Sequence, residues 1–113
     1  MKQSSNVCTR VFVFAFWAVS MLAVQQLAAQ DGQIARYLEQ LKESRESGNK
    51  NEIIGDLNKV GFYYLNNGEG SRAIDYFKEA ASLNKEIGNP AGAASSINYV
   101  GVIYSENGQK QKA

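Results

Sequence analysis

The chain contains an internal repeat. When residues 31–73 are aligned with residues 71–113, 12 of the 43 pairs are identical. Ordinary composition would give about three identities by chance, at roughly one match in fifteen. A fixed period of this length is typical of stacked supersecondary units, each too small to bury a core by itself. The repeat therefore predicts an array of similar units.

Each unit is predicted to contain two helices. Asn49 is a good N-cap, and Glu52 stands at the spacing of a capping box. In the next unit Asn89 takes the cap position, and Pro90 takes the first helical position, where its missing N–H costs nothing. Together these signals predict helices over residues 31–47, 50–67, 70–87 and 90–107, a turn at Asn107-Gly108, and the start of a further helix over residues 109–113.

One face of each predicted helix is apolar. Gly61 lies inside a helix, at a cost of about 1 kcal/mol against Ala, and its recurrence as Gly101 indicates that a paired helix comes close. The small residues Ala73 and Ala80 are expected to face Gly61, with larger side chains beside them. The predicted core positions are Leu57, Val60, Gly61 and Tyr64 on one helix and Ala73, Ile74, Phe77, Ala80, Ala81 and Leu83 on the return helix.

These residues resemble a known family. The pattern L-x-x-V-G-x-x-Y from Leu57 to Tyr64, followed by A-x-x-x-F from Ala73, resembles the tetratricopeptide repeat, and I-x-x-V-G-x-x-Y from Ile97 repeats its first half. The usual unit has about 34 residues, so this would be a longer variant. The pattern is also similar to variants found in extracytoplasmic parts of bacterial signalling proteins. The resemblance implies an all-α fold, an antiparallel helix-pair solenoid.

The repeat predicts a domain over residues 30–113. It would comprise a leading half-repeat (31–48), a repeat (49–88) and a partial repeat (89–113), or about one and a half to two repeats. The partner helix that would cover the last predicted helix is missing, which indicates C-terminal truncation of a longer repeat protein. The uncovered last helix could mediate self-association.

The first residues have the pattern of a secretory signal peptide. Lys2 and Arg10 precede an apolar run over residues 11–24, and small residues follow. This pattern predicts a signal peptide over residues 1–29 and a secreted or periplasmic location in a bacterium. An uncleaved membrane anchor is the alternative, although a spanning helix needs about 20 apolar residues and this run is shorter.

Composition excludes several classes of function for residues 30–113. They contain no Cys and no His, and their 10 basic and 11 acidic residues nearly balance. There is thus no case for nucleic-acid binding, for a membrane surface after signal removal, or for a metal or other cofactor. No nucleophile–base set or glycine-flanked nucleophile is present, so the chain is not expected to be an enzyme.

The resemblance implies protein–protein interaction, since the first helices of each pair line an inner surface that commonly binds peptides in the family. Asn amides could hold a peptide backbone by donating and accepting hydrogen bonds. Two alternatives stay open: that these residues form only a solvated face, or that the chain is the sensory input segment of a membrane-bound signalling protein such as a sensor histidine kinase. The candidate peptide-binding residues are Asn58, Lys59, Phe62, Asn66, Asn98, Tyr99 and Val102.

Overall fold

A computed structural model describes the backbone of residues 31–112 and the side chains of residues 31–109. Four helices account for almost all of these residues: α1 over residues 31–47, α2 over Lys50–Asn66, α3 over Gly70–Glu86 and α4 over Pro90–Lys112. The described part of the chain contains no strand, which confirms the all-α prediction. The predicted signal peptide lies outside the described residues.

The turns between the helices are alike and regularly spaced. Gly48, Gly68 and Gly88 have φ angles of 75°, 77° and 76°, a left-handed conformation that glycine adopts without a Cβ clash. At the α2–α3 turn, Gly68 N–H donates to a carbonyl of the last helical turn at 3.2 Å, and Glu69 N–H donates to Tyr64 O at 2.8 Å. The α3–α4 turn has the same pair of bonds, 3.1 and 2.8 Å long. These are Schellman caps, which satisfy the last carbonyls of each helix.

The predicted N-caps are confirmed. The Asn49 side chain accepts hydrogen bonds from the N–H groups of the second and third residues after it, at 3.1 and 3.4 Å. The reciprocal bond of a capping box is replaced, because Asn49 N–H donates to Ser47 Oγ at 3.4 Å. Asn89 Oδ1 accepts from Gly92 N–H at 3.1 Å, and Pro90 is the first helical residue of α4.

The core consists of two clusters that share α3. Antiparallel α2 and α3 are joined by a short turn, and α3 also packs on α4. Leu57, Val60 and Phe77 have no exposed surface, which confirms the central core positions, whereas Tyr64 and Leu83 are only half-buried. The first cluster contains Leu41, Ile53, Leu57, Val60 and Ala80, and the second contains Ala73, Ile74, Phe77, Val100 and Ile103.

The contact at Gly61 differs from the prediction in its partner. A Cβ placed on Gly61 would lie 2.9 Å from both Cε1 and Cζ of Phe77. Ala73 and Ala80 were expected to face Gly61, but the atoms nearest to it belong to the aromatic ring of Phe77. The missing side chain of Gly61 makes a notch, and the Phe77 ring fills it.

The end of α4 also differs from the prediction. The helix continues through Asn107-Gly108 to Lys112, where a turn and a new helix were expected. Gly108 does not share the positive φ of the glycines at the other turns. At the α2–α3 turn, the left-handed glycine is held by α3 folding back onto α2. No helix among residues 31–112 folds back onto α4, so the helical hydrogen bonds continue.

Candidate functional site

Two of the predicted binding residues, from different units, meet in an aromatic cluster. The ring centroids of Phe62 on α2 and Tyr99 on α4 are 4.9 Å apart, with the rings inclined at 81°. Both rings also contact Phe77 on α3, each at 5.2 Å. Edge-to-face contacts of this kind are favourable arrangements for aromatic rings. The cluster joins α2 and α4 across α3, so residues of two units contribute to one surface.

The other predicted residues of α4 are exposed. Tyr99 and Val102 keep 37% and 46% of their surface in solvent, and Asn98 is exposed beside them. On α2, Asn66 is exposed and Asn58 is half-buried. The two asparagines of the repeat, Asn58 and Asn98, therefore differ in how freely they could reach a ligand. The accessible apolar area lies mainly on α4.

Lys59 belongs to a different place from the aromatic cluster. Its Nζ lies 3.3 Å from Asp56 Oδ1, and it lines a polar depression of about 550 Å³ between α1 and α2. Asp56 is buried and accepts a hydrogen bond from the buried Ser44 Oγ of α1. Gln40 also lines the depression, and its Oε1 is buried without a hydrogen-bond partner in the described structure. The sequence held one indication of this feature: Asp56 interrupts the apolar face of α2.

The repeat places buried polar residues at the same two positions in both units. In the alignment of the two units, Ser44 and Asp56 correspond to Asn84 and Ser96, which are each 3% exposed. Asn84 Nδ2 donates to Ala80 O at 3.0 Å. In each unit, one buried polar residue therefore comes from each of two successive helices, and in the first unit the two are hydrogen-bonded to each other. Such groups are costly unless they are hydrogen-bonded, so they favour one alignment of the helices over others.

Two shifted pKa values mark further contacts between the helices. Arg45 of α1 donates two hydrogen bonds to the Glu79 carboxylate of α3, at 2.5 and 2.9 Å. This hydrogen bonding raises the pKa of Arg45. Tyr76 stacks on Tyr64 with centroids 5.8 Å apart, and burial raises the pKa of Tyr76. Both contacts hold helices together, and neither belongs to the aromatic cluster.

The described residues contain no group of three side chains that could hold a metal ion. Within residues 31–112, no helix combines the length and the apolar character needed to cross a membrane. Comparison with protein-family models, with curated proteins and with solved structures finds no match.

Proposed function

We propose that the chain is a tetratricopeptide-like helix-pair solenoid that binds a protein or peptide segment, without catalysis, outside the cytoplasm. The internal repeat and the three equivalent turns at Gly48, Gly68 and Gly88 support the solenoid arrangement. The basic, apolar and small-residue pattern of residues 1–29 supports export by a signal peptide. Mass spectrometry of the exported chain should then find Gln30 at its N-terminus, whereas a retained Met1 would favour an anchored form.

The contact between Phe62 and Tyr99 carries the proposal. It places predicted binding residues of α2 and α4 on one surface, above a fully buried Phe77. Next to this rigid base, Val102 remains 46% exposed. Aromatic side chains that are already held in place contribute strongly to protein interfaces, because little conformational freedom is lost when a partner binds.

The bound segment would be extended and largely apolar. Tyr99 and Val102 would contact its side chains, and the Asn98 amide would hydrogen-bond to its backbone. Asn58 would make the same contact from α2 if its half-buried amide turns outward. A backbone contact of this kind accepts many sequences, so apolar contact with α4 would set the preference among ligands.

A display library of random peptides, selected against the chain, tests this function. Val102→Asp should weaken a selected peptide at least tenfold, or about 1.4 kcal/mol, because it places a charge on the apolar part of the surface. The double variant Asn58→Ala with Asn98→Ala should also weaken the peptide. Circular dichroism should show unchanged helix content in both variants.

The matched control is Asp75→Ala with Ser82→Ala, which alters two exposed residues of α3. This control should leave the affinity unchanged. The proposal fails if no peptide is enriched by the folded chain. It also fails if the control weakens the selected peptides as much as Val102→Asp does.

A further inference from the structure

Helix α4 carries an apolar stripe that is only half covered in the described structure, where Lys78 of α3 contacts its last residue, Tyr104, by donating a hydrogen bond to the hydroxyl at 3.4 Å. Ile97, Gly101 and Tyr104 lie on one side of the helix, at the i, i+4 and i+7 positions, and are called here the open stripe. Ile97 is 50% exposed and Tyr104 is 53% exposed. A Cβ placed on Gly101 would have no described atom within 4 Å. Val100 and Ile103, which pack on α3, occupy an adjacent side of α4.

The same stripe is covered on α2. In the alignment of the two units, the open stripe corresponds to Leu57, Gly61 and Tyr64. Leu57 has no exposed surface, and the Phe77 ring of α3 fills the notch at Gly61. The structure therefore contains both a covered copy and an uncovered copy of one surface. The covered copy shows what kind of element fits it.

The open stripe is also unusual in its charge. Residues 90–105 of α4 contain no charged side chain, whereas the corresponding part of α2 has Lys50, Glu52, Asp56 and Lys59. Charged side chains would have to lose water when a partner covers a surface, at a large cost if they remain unpaired. The stripe residues themselves avoid that cost, and the one charged group beside them, the Lys78 ammonium at Tyr104, is on an exposed side chain of α3 that can stay in water. These features are typical of a surface that becomes buried.

We propose that the open stripe docks a helix of the α3 type, supplied by a partner protein. In α3, the ring of Phe77 lies between the small residues Ala73 and Ala80, an A-x-x-x-F-x-x-A pattern. On the open stripe the ring of the partner helix enters the notch at Gly101, and its small residues let the two helices come close. Tyr104 then lies beside the ring, as Tyr64 packs against the cluster of Phe77, and Ile97 lies beside the second small residue, as Leu57 shares a cluster with Ala80.

A second copy of this chain fits the open stripe less well. Helix α1 corresponds to α3 in the repeat, but it has Arg36, Gln40 and Glu43 where α3 has Tyr76, Ala80 and Leu83. Docking α1 of another copy would therefore bury charged and polar groups against an apolar stripe. If two α4 helices faced each other, the notch at Gly101 of one would lie against the notch of the other. Neither notch would then be filled by an aromatic ring like that of Phe77. The complementary surface is a helix with the α3 pattern.

This docking does not depend on the peptide-binding function proposed above. Asn98 and Val102 are each one residue further along the helix than a residue of the open stripe, about 100° around α4. A substitution at Val102 can therefore test one surface and a substitution at Gly101 can test the other.

A synthetic peptide of residues 68–88, which is the α3 segment of this chain, provides the probe. It is labelled with fluorescein and titrated with the protein produced from its full sequence, so that processing of residues 1–29 is left to the cell. Saturable binding, followed by fluorescence anisotropy, is expected. Binding should weaken at least tenfold with the peptide change Phe77→Ala and stay unchanged with Asp75→Ala, which alters an exposed position.

On the protein, Gly101→Leu should abolish binding because the leucine side chain fills the notch. Since the space around Gly101 is open, this variant should keep the helix content of the parent by circular dichroism. Gly108→Ala is the matched control on the same helix, also in open space, and should bind normally. Val102→Asp should bind the α3 peptide normally even where it loses a selected library peptide.

The proposal is overturned if the folded protein does not bind the peptide, or if binding persists in Gly101→Leu. A different result would show that a second copy of the chain occupies the open stripe. In that case the protein is a dimer in sedimentation, Gly101→Leu makes it a monomer, neither form binds the peptide, and the proposal is overturned.

Discussion

At the scale of single residues, Gly61 and Gly101 show how the same residue acquires different roles. Both lie inside a helix at corresponding positions of the repeat. Gly61 is buried beneath the Phe77 ring, whereas Gly101 is exposed and has open space where its side chain would be. Without neighbours, a helical glycine only lowers stability, because alanine favours the helix by about 1 kcal/mol.

The two glycines should therefore respond oppositely to alanine. Gly101→Ala should raise the free energy of unfolding by about 0.5–1 kcal/mol. Gly61→Ala should lower it by roughly 1–3 kcal/mol, because the new methyl group would be 2.9 Å from a fully buried ring. Urea denaturation followed by circular dichroism measures both values. Equal effects at the two positions would contradict the assigned packing of α2 against α3.

The buried pair of Ser44 and Asp56 should also matter for stability. Asp56→Ala removes the acceptor of the Ser44 hydroxyl and the partner of Lys59, within a contact between α1 and α2. The expected loss is about 1–3 kcal/mol in the free energy of unfolding. Asp75→Ala removes an exposed carboxylate from α3 and should change stability by less than about 0.5 kcal/mol. Thermal unfolding measures the stability of both variants. Equal losses of stability would show that the buried pair of Ser44 and Asp56 does not stabilise the fold.

At the scale of helices and turns, the regular spacing of the described turns depends on a left-handed glycine after each of α1, α2 and α3. Gly68 closes α2, and Gly108 occupies the corresponding position of the next unit but lies inside α4. The same Asn-Gly pair therefore ends α2 but lies inside α4. The difference arises from the packing of α3, which is a contact between helices and not a property of the two residues.

Substituting alanine for each of these two glycines distinguishes a turn position from a position inside a helix. Gly68→Ala should destabilise the fold by roughly 1–2 kcal/mol, since a Cβ is unfavourable in the left-handed conformation. Gly108→Ala should instead stabilise α4 by up to about 1 kcal/mol. Melting curves by circular dichroism compare the two variants. A loss of stability at Gly108 would indicate that this residue forms a turn in solution.

The helices could be predicted from the sequence mainly because their ends carry local signals. Asn49, Pro90 and the glycines of the turns fixed the ends of α2 and α3 and the start of α4 to within one residue. The end of α4 could not be predicted in this way, because Asn107-Gly108 carries the same local turn signal as Asn67-Gly68 and only the packing of the next helix differs between the two places. The partner of Gly61 was also beyond a periodicity argument, since the pattern shows which face is buried but not which side chain fills a notch.

The candidate binding surface could be predicted in part from helical periodicity. Helical periodicity placed Phe62 and Tyr99 off the core stripe, but their contact with each other depends on how α2 and α4 lie against Phe77. Lys59 was expected beside them and instead pairs with Asp56. A single acidic residue within an apolar face indicates burial, but its hydrogen-bond partner comes from another helix and is not visible in the local pattern. Whether this surface binds a peptide stays a prediction.

At the scale of the whole array of described helices, the two ends differ. On α1, Arg36, Gln40 and Glu43 occupy the positions of Tyr76, Ala80 and Leu83 of α3, and Gln40 and Glu43 line the polar depression between α1 and α2. The open stripe of α4 is apolar and has no charged residue of its own, although Lys78 of α3 contacts Tyr104. About three repeats are usually needed for a continuous core, so the chain with its present helices is expected to be marginally stable.

Adding a return helix to the chain should therefore stabilise it. Residues 74–88, appended directly after Ala113, would continue the repeat in register, because Ala113 corresponds to Ala73 and Asn107-Gly108 to the turn at Asn67-Gly68. The added helix would cover Ile97 and Tyr104, and Gly108 would adopt the left-handed turn. Burying two half-exposed large side chains is worth roughly 1–3 kcal/mol, and each kcal/mol raises the Tm of a domain of this size by about 4–8 °C.

The matched control carries the same extension with the copy of Phe77 changed to Asp, which cannot enter the notch at Gly101. Calorimetry should show a higher Tm for the first extension alone, and two equal melting temperatures would mean that α4 does not present the surface that α2 does.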